Sequence, residues 1–242
     1  MSTVAVILPI YNEAKIVERV FGKVYDFAVS NPAFKFIFVD DGSLDATGQL
    51  LSRRIQRTDN DRITLVSYSP NQGKGFAIRK GMEHNDSDLV CFTDGDLAYS
   101  LDHLPLLAEA LRSHDVVTGS RSLVAEKQKN IQFARRIMGW SFNRLARIIL
   151  DLPYRDTQAG LKGFRREAAE QIFARQRIFD FTFDAELLFL ARRLGCRIAE
   201  VPAQVSETHA YKGSHVSLLR DTPRMFLSLI RIRFNSALGK YD

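Results

Sequence analysis

Along the first 120 residues, short runs rich in β-branched and aromatic residues alternate with longer amphipathic stretches. VAVILPI (4–10), FKFIFVDD (34–41), RITLVSY (62–68), DLVCFTD (88–94) and HDVVTGS (114–120) read as strands. Ile16, Val20 and Val24 recur at helical spacing and mark one face of a helix expected over 12–29. LDATGQLLSRRI, GKGFAIRKGM and LPLLAEALR carry the next three helices. This alternation implies βαβ units: an α/β fold with a mainly parallel central sheet and helices on both faces. Ligands of such sheets bind beyond the carboxyl ends of the strands. Polar residues follow the strands at those ends: Tyr11-Asn12-Glu13, Asp40-Asp41, Asn71 to Lys74, Asp94 and Asp96, then Ser120-Arg121. One cleft is predicted there.

After Arg121 the pattern changes to a basic, helical stretch up to Tyr154 without a strand. AGLKGFRREAAEQIF reads as a strand and a helix, FDFTFDAELLFLARRLG as a helix ended by Gly195, and CRIAEVPAQV as a further strand. The end of the chain is amphipathic: Leu218, Leu219, Met225, Phe226, Leu229, Ile230 and Phe234 interleave with Arg220, Arg224, Arg231 and Arg233. The expected organisation is one domain over 1–215 with a basic amphipathic appendage over 216–242.

Composition narrows the class. With 45% apolar and 26% charged residues, the 242-residue chain has ordinary globular composition. Its 34 Lys and Arg against 28 Asp and Glu leave an excess of six positive charges, which favours an anionic partner. Cys91 and Cys196 form no paired framework and are expected as buried thiols of a reducing compartment. The start MSTVAVILPIYNE lacks a basic region and a cleavage site, and no apolar run approaches the roughly 18 residues of a membrane span. The expectation is a cytoplasmic protein, or one peripheral on a membrane. A nucleic-acid partner is disfavoured, because the basic residues are not interleaved with aromatics on a recognised module.

The chemistry centres on Asp94 and Asp96, one residue apart at a strand end with no basic neighbour in sequence. Like charges that close call for a cation, and Mg²⁺ or Mn²⁺ is commonly held by one or two carboxylates plus substrate phosphates. A solvated Asp-Gly turn is the alternative. Asp40-Asp41 would cap a helix or accept hydrogen bonds from a base or ribose, and Glu13 would favour its helix's first turn. No G-x-G-x-x-G or G-x-x-x-x-G-K-[ST] run is present, so phosphate recognition falls to a metal and basic side chains.

PIYNE, FVDDGSLDAT, NQGKGFAIRKGM, FTDGDLAYS and GSR, in this order, resemble the family-2 glycosyltransferases of GT-A fold. DTQAGLKGFRREAAEQIF, FDAELLFLARRLG, IAEVP and KGSH resemble the branch that makes polyprenyl-phosphate sugars, the dolichyl-phosphate glucosyl- and mannosyltransferases among them. The resemblance implies a GT-A catalytic domain, a nucleotide-sugar donor, a Mg²⁺ or Mn²⁺ ion at Asp94 and Asp96, a polyprenyl-phosphate acceptor and inversion at the anomeric carbon. It also implies that Pro9, Tyr11, Glu13, Val39, Asp41, Lys74 and Gly95 line the donor site. Two positions depart from that pattern. Ala98 stands where the mannosyl branch has a glutamine, and His215 stands where the family has a lysine, leaving Lys212 as the expected diphosphate contact.

A phosphate monoester, with a second pKa of about 6, needs cations rather than a base. Arg121 and Arg135 are the expected acceptor-phosphate ligands, ahead of Arg136, Arg144 and Arg147, some of which would lie on a solvated helix face. Asp156, Asp184 and Glu186 would be turn or helix-start residues, or would line the site. A hydroxyl acceptor with Asp184 or Glu186 as base is the alternative activity. A catalytically silent module that recruits partners to membranes is the alternative from another class. The terminal segment would lie on an anionic bilayer, join two copies of the chain, or pack on the domain.

Overall fold

A computed structural model describes residues 2–58, 60–124, 133–206 and 218–242. Its strands are β1 (Val4–Ile10), β2 (Phe34–Asp41), β3 (Ile63–Tyr68), β4 (Leu89–Phe92), β5 (Val116–Ser120), β6 (Lys162–Arg165) and β7 (Ile198–Pro202). Its helices are α1 (Val17–Ser30), α2 (Thr47–Gln56), α3 (Lys74–Glu83), α4 (His103–Ala110), α5 (Phe133–Leu150), α6 (Arg166–Arg175), α7 (Phe183–Arg193) and α8 (Leu218–Ala237). The expected α/β architecture forms as one seven-stranded sheet in the order β3-β2-β1-β4-β6-β5-β7.

The near-continuous apolar runs of β1 and β2 suit strands covered on both faces. Side chains of a strand alternate between the two faces, so each face has its own core. Val4, Val6, Leu8, Phe36 and Phe38 pack with α1, α2 and α4, whereas Ala5, Ile7, Ile37 and Val39 face the layer containing α3, α6 and α7. All strand pairs are parallel except those of β6, which runs antiparallel to both β4 and β5. That reversal brings the first residue of β6, Lys162, opposite Phe92 at the end of β4.

Two boundaries differ from the sequence expectation for local reasons. Helix α1 begins at Val17, not at 12, because Asn12 adopts a left-handed φ of 54° and is held there. Its amide donates to Ser43 Oγ (3.0 Å) and its side-chain oxygen accepts from the Leu44 amide (2.8 Å). Strand β4 stops at Phe92 because the chain turns back at once, the Leu97 amide reaching the Asp94 carbonyl at 2.9 Å. Cys91 is buried as expected, whereas Cys196 is only half-buried and precedes β7.

The terminal segment adds a layer to the core. Helix α8 packs on α5 and α7, and its Leu229 and Ile232 join the same buried cluster as Leu187, Leu188 and Tyr241. The Tyr241 hydroxyl donates to Glu186, which also accepts the amides of Arg177 (3.1 Å) and Ile178 (2.8 Å). The Tyr241 carbonyl accepts from Arg175 Nε at 3.0 Å, and Arg193 pairs with Asp242.

Burial pushes the Glu186 carboxyl up to about 7, against the lowering effect of Tyr241 and the two amides. A folded-state value raised above the ordinary 4.5 means that stability is fully present below pH 4.5 and is lost as pH rises through 7. Relative to Glu186→Gln, the wild type is therefore expected to lose roughly 3 kcal/mol between pH 5 and 8, read from denaturant midpoints.

Candidate active site

From β1 the chain winds through β2 to β3, then crosses back through α3 to β4 on the other side of β1. The carboxyl ends of β1 and β4 consequently flank the crevice left by this reversal, the usual ligand position in an open α/β sheet. Asp94, Gly95, Asp96 and Leu97 form the turn beyond β4, with Leu97 at a φ of 56° that a branched side chain rarely adopts. Gly95 lies against the end of β1: a Cβ there would come within 2.1 Å of the Pro9 carbonyl oxygen. The turn is thus pressed onto β1, and both carboxylates stay partly accessible.

The sequence shows no basic neighbour for these carboxylates, but the fold supplies one. Lys74, the first residue of α3, places Nζ on Asp94 Oδ1. The ammonium also lies 5.6 Å from the centre of the Phe183 ring. Asp94 also faces Gly160, where a Cβ would sit 2.6 Å from both carboxylate oxygens. Behind this pair, Lys162 is completely buried and donates to Asp184 Oδ1 and the Ala159 carbonyl, each at 2.7 Å. Burial opposes the charge of Lys74, yet Asp94 and Asp184 outweigh it and hold its pKa above the ordinary lysine value. For Lys162 burial prevails over Asp184 and lowers the pKa. Asp94, Lys74, Asp184 and Lys162 make a row of alternating charges under the crevice.

Arg121 stands at the end of β5. Its Nε and Nη2 form a fork on the Asp156 carboxylate, at 2.7 and 2.9 Å, and its amide adds a third bond at 3.1 Å. Burial alone would raise the Asp156 pKa; the guanidinium brings it below the usual carboxylate value. The loop bearing Asp156 is itself tied to α5, where Asn143 accepts from the Thr157 amide (2.9 Å) and donates to the Arg155 carbonyl (2.7 Å). With its side chain 45% exposed, Arg121 is oriented by Asp156 while remaining open to solvent.

The donor-side residues are distributed unevenly. Tyr11 is exposed, and Pro9 and Glu13 are partly buried at the end of β1. The Glu13 amide donates to Thr47 Oγ1 at 2.8 Å, and the Ala14 amide to Asp45 at 3.2 Å, so the loops after β1 and β2 are stitched together. Asp41 accepts from the Tyr68 hydroxyl (2.7 Å), Asn71 Nδ2 (2.7 Å) and the amides of Gln72 (2.8 Å) and Gly73 (2.9 Å). Four internal donors commit its carboxylate to shaping the 71–73 turn that leads to Lys74. Val39 has no accessible surface, so it supports the cleft from the core instead of lining it.

Other expectations are corrected or fall outside view. Glu186 lies in the core, bonded to Tyr241 and two amides, and is no candidate base. Asp184 is buried and closed by Lys162, so it acts on the crevice through its charge. Arg135 and Arg136 fall on the first turn of α5, among residues whose side chains are not described. Lys212 and His215 lie outside the described residues. Asp156, ambiguous in the sequence, becomes the partner of Arg121. Lys162 and Gly160 lie in the run DTQAGLKG without a local signal that marks them; their place at the site comes from the fold.

The donor set fits a hard divalent ion. Asp94 and Asp96 offer carboxylate oxygens at one turn, and the absence of a side chain at Gly160 keeps the Asp94 carboxylate seated. Among the described residues no group of three or more His, Cys, Asp or Glu could hold a metal. Two carboxylates without a closed protein cage are the usual arrangement for Mg²⁺ or Mn²⁺ completed by phosphate and water.

The family model for glycosyl transferase family 2 matches residues 5–173. A dolichyl-phosphate beta-glucosyltransferase of Dictyostelium discoideum is 29% identical, over 97% of this chain and 75% of its own length. Glycosyltransferase AglD of Haloferax volcanii is 32% identical over 94% of this chain, but over only 36% of that protein. Among solved structures, glucosyl-3-phosphoglycerate synthase of Mycobacterium tuberculosis with uridine diphosphate superposes with a TM-score of 0.67 at 19% identity, covering 99% of this chain and 80% of its own. Mannosyltransferase PcManGT of Pyrobaculum calidifontis, in complex with GDP-Man and Mn²⁺, reaches 0.63 at 18% identity over 98% of this chain and 64% of its own. The fold is thus that of a GT-A glycosyltransferase, and the chain is a hexose-transferring enzyme. The chain belongs to glycosyl transferase family 2, in its dolichyl-phosphate glycosyltransferase branch.

If Asp156 works by orienting Arg121, the two act as one unit. Asp156→Asn and Arg121→Gln are each expected to lower kcat/KM for transfer at least about tenfold, and the double variant no further than the worse single one. A double-mutant cycle on initial rates checks this.

Proposed function

We propose that this enzyme moves a hexose from a nucleoside diphosphate sugar to a polyprenyl phosphate, with Mg²⁺ or Mn²⁺ held by Asp94 and Asp96. The observation that carries this assignment is the fate of the two carboxylates expected as bases: both are buried and committed to partners, while Arg121 is held open at the end of β5. A hydroxyl acceptor needs a base to take its proton. A phosphate monoester is already mostly a dianion at neutral pH and needs a guanidinium to bind it. Arg121 would hold the acceptor phosphate so that one of its oxygens attacks the anomeric carbon. The bond to the diphosphate breaks on the opposite face, which inverts the configuration. Bound metal would supply Lewis-acid neutralisation of the departing diphosphate. Lys74, beside Asp94, is placed to contribute further positive charge to that group.

Names among the relatives support glucose and a dolichyl-type acceptor, since several are dolichyl-phosphate beta-glucosyltransferases. Structural neighbours crystallised with Mn²⁺ and UDP-glucose support the donor class. UDP-glucose is the first donor to test, with GDP-mannose beside it. Among the described residues no helix is long and apolar enough to cross a membrane. The acceptor's hydrocarbon can be met at the surface, where α5 and α8 pack together and expose Trp140, Ile148, Leu227, Ile230 and Phe234. Arg144 lies over the Trp140 ring, and Arg147, Arg231 and Arg233 are exposed beside these residues. Apolar side chains ringed by arginines suit the interface of an anionic bilayer.

Incubation with Mn²⁺, either donor and undecaprenyl phosphate should give a glycosylated lipid, and Asp94→Ala should abolish it. Transfer only to sugar hydroxyls, with lipid phosphate never modified, would refute the assignment. Introducing Leu227→Asp with Phe234→Asp should lower transfer to vesicle-borne lipid phosphate about tenfold more than transfer to a soluble short-chain phosphate.

A further inference from the structure

Lys74 is paired with the carboxylate of Asp94, which a divalent ion would also need. Its Nζ is bonded to Oδ1 and lies 5.6 Å from the centre of the Phe183 ring, and a Cβ on Gly160 would come within 2.6 Å of both oxygens of the same carboxylate. Only about a fifth of the Lys74 side chain and just over a quarter of Asp94 are exposed (21% and 28%), so the pair is poorly screened. Asp184, itself paired with Lys162, attracts the same ammonium. Lys74 therefore has two acidic neighbours to choose between, and the row behind it stays charged when it moves.

Resting on the donor-site assignment above, we infer that Lys74 is a built-in counter-cation that guards Asp94 until a nucleotide arrives. In the empty enzyme its ammonium neutralises Asp94 and competes with a divalent ion for that carboxylate. A diphosphate entering the crevice offers Lys74 a stronger anionic partner and draws it off Asp94. The carboxylate then becomes available for metal, so nucleotide and metal bind cooperatively. By linkage each ligand raises the affinity of the other by the same factor. Part of that factor would come from Lys74, over and above direct metal–diphosphate contact. The consequence is a site that stays closed to metal when no donor is present.

The test is a Mn²⁺ titration followed by electron paramagnetic resonance, with and without UDP or GDP. For nucleotide-free protein, Lys74→Met should tighten Mn²⁺ binding about tenfold, whereas Lys74→Arg, which keeps the charge, should leave it weak. With nucleotide present the Lys74→Met advantage should vanish. In the wild type, acetic anhydride footprinting read by mass spectrometry should show Lys74 more reactive once Mn²⁺ is raised high enough to saturate the nucleotide-free site, and this needs no variant to fold. Unchanged or weaker Mn²⁺ binding in Lys74→Met, or unchanged Lys74 reactivity at saturating Mn²⁺, overturns the inference while leaving the donor site intact. Wild-type protein that binds neither nucleotide with Mn²⁺ overturns both.

Discussion

The meeting of Asp94 with Lys74 at the carboxyl end of the sheet is the interaction on which the site depends. It joins the turn after β4 to the first residue of α3, two segments twenty positions apart in sequence. Everything nearby serves to hold the two in register. Gly95 lets the turn lie on the Pro9 carbonyl, Gly160 leaves room for the carboxylate, and Asp41 gathers the 71–73 turn so that α3 begins where it does. A lone carboxylate this enclosed would be costly to keep ionised, and its partner relieves that cost.

The same principle runs deeper. Lys162, with no exposed surface, sits between two strands in the middle of the sheet, where an unpaired ammonium would be strongly unfavourable. Asp184 answers it from α7, and the row formed with Lys74 and Asp94 alternates in sign. Such a row holds charge close to the crevice without a net field of either sign, so small movements of one member change what its neighbours offer a ligand. Arg121 and Asp156 repeat the device with a guanidinium left partly in solvent, close enough to Asp94 for the two charges to interact. One cation faces the carboxylate turn and another faces outward, as a reaction joining two anionic substrates requires.

The surface built by α5 and α8 belongs to the same construction. Asn143 of α5 fixes the loop that carries Asp156, and Ser228 of α8 donates to Asp180 (2.6 Å), four residues before Asp184. The apolar, arginine-rich face is therefore connected through short hydrogen-bonded links to both charged pairs. Tyr241 anchors the end of the chain against α7, so the exposed face has a rigid base.

Much was legible in the amino-acid order. Strand and helix periodicity predicted the first five strands, the helices between them and the layered sheet, because both faces of β1 and β2 are buried and their apolar runs are continuous. Acidic and basic residues at strand ends marked the crevice, since the carboxyl ends of parallel strands converge there, and the motif order carried the family. What the order could not reveal were partnerships made across the sheet. The antiparallel reversal of β6 brings Lys162 opposite Phe92 and onto Asp184, the crossing from β3 to β4 sets Lys74 on Asp94, and the core takes Glu186 for Tyr241. Local sequence encodes propensity and periodicity, which act over a few residues. Which charge neutralises which depends on distances that exist only after distant segments have packed.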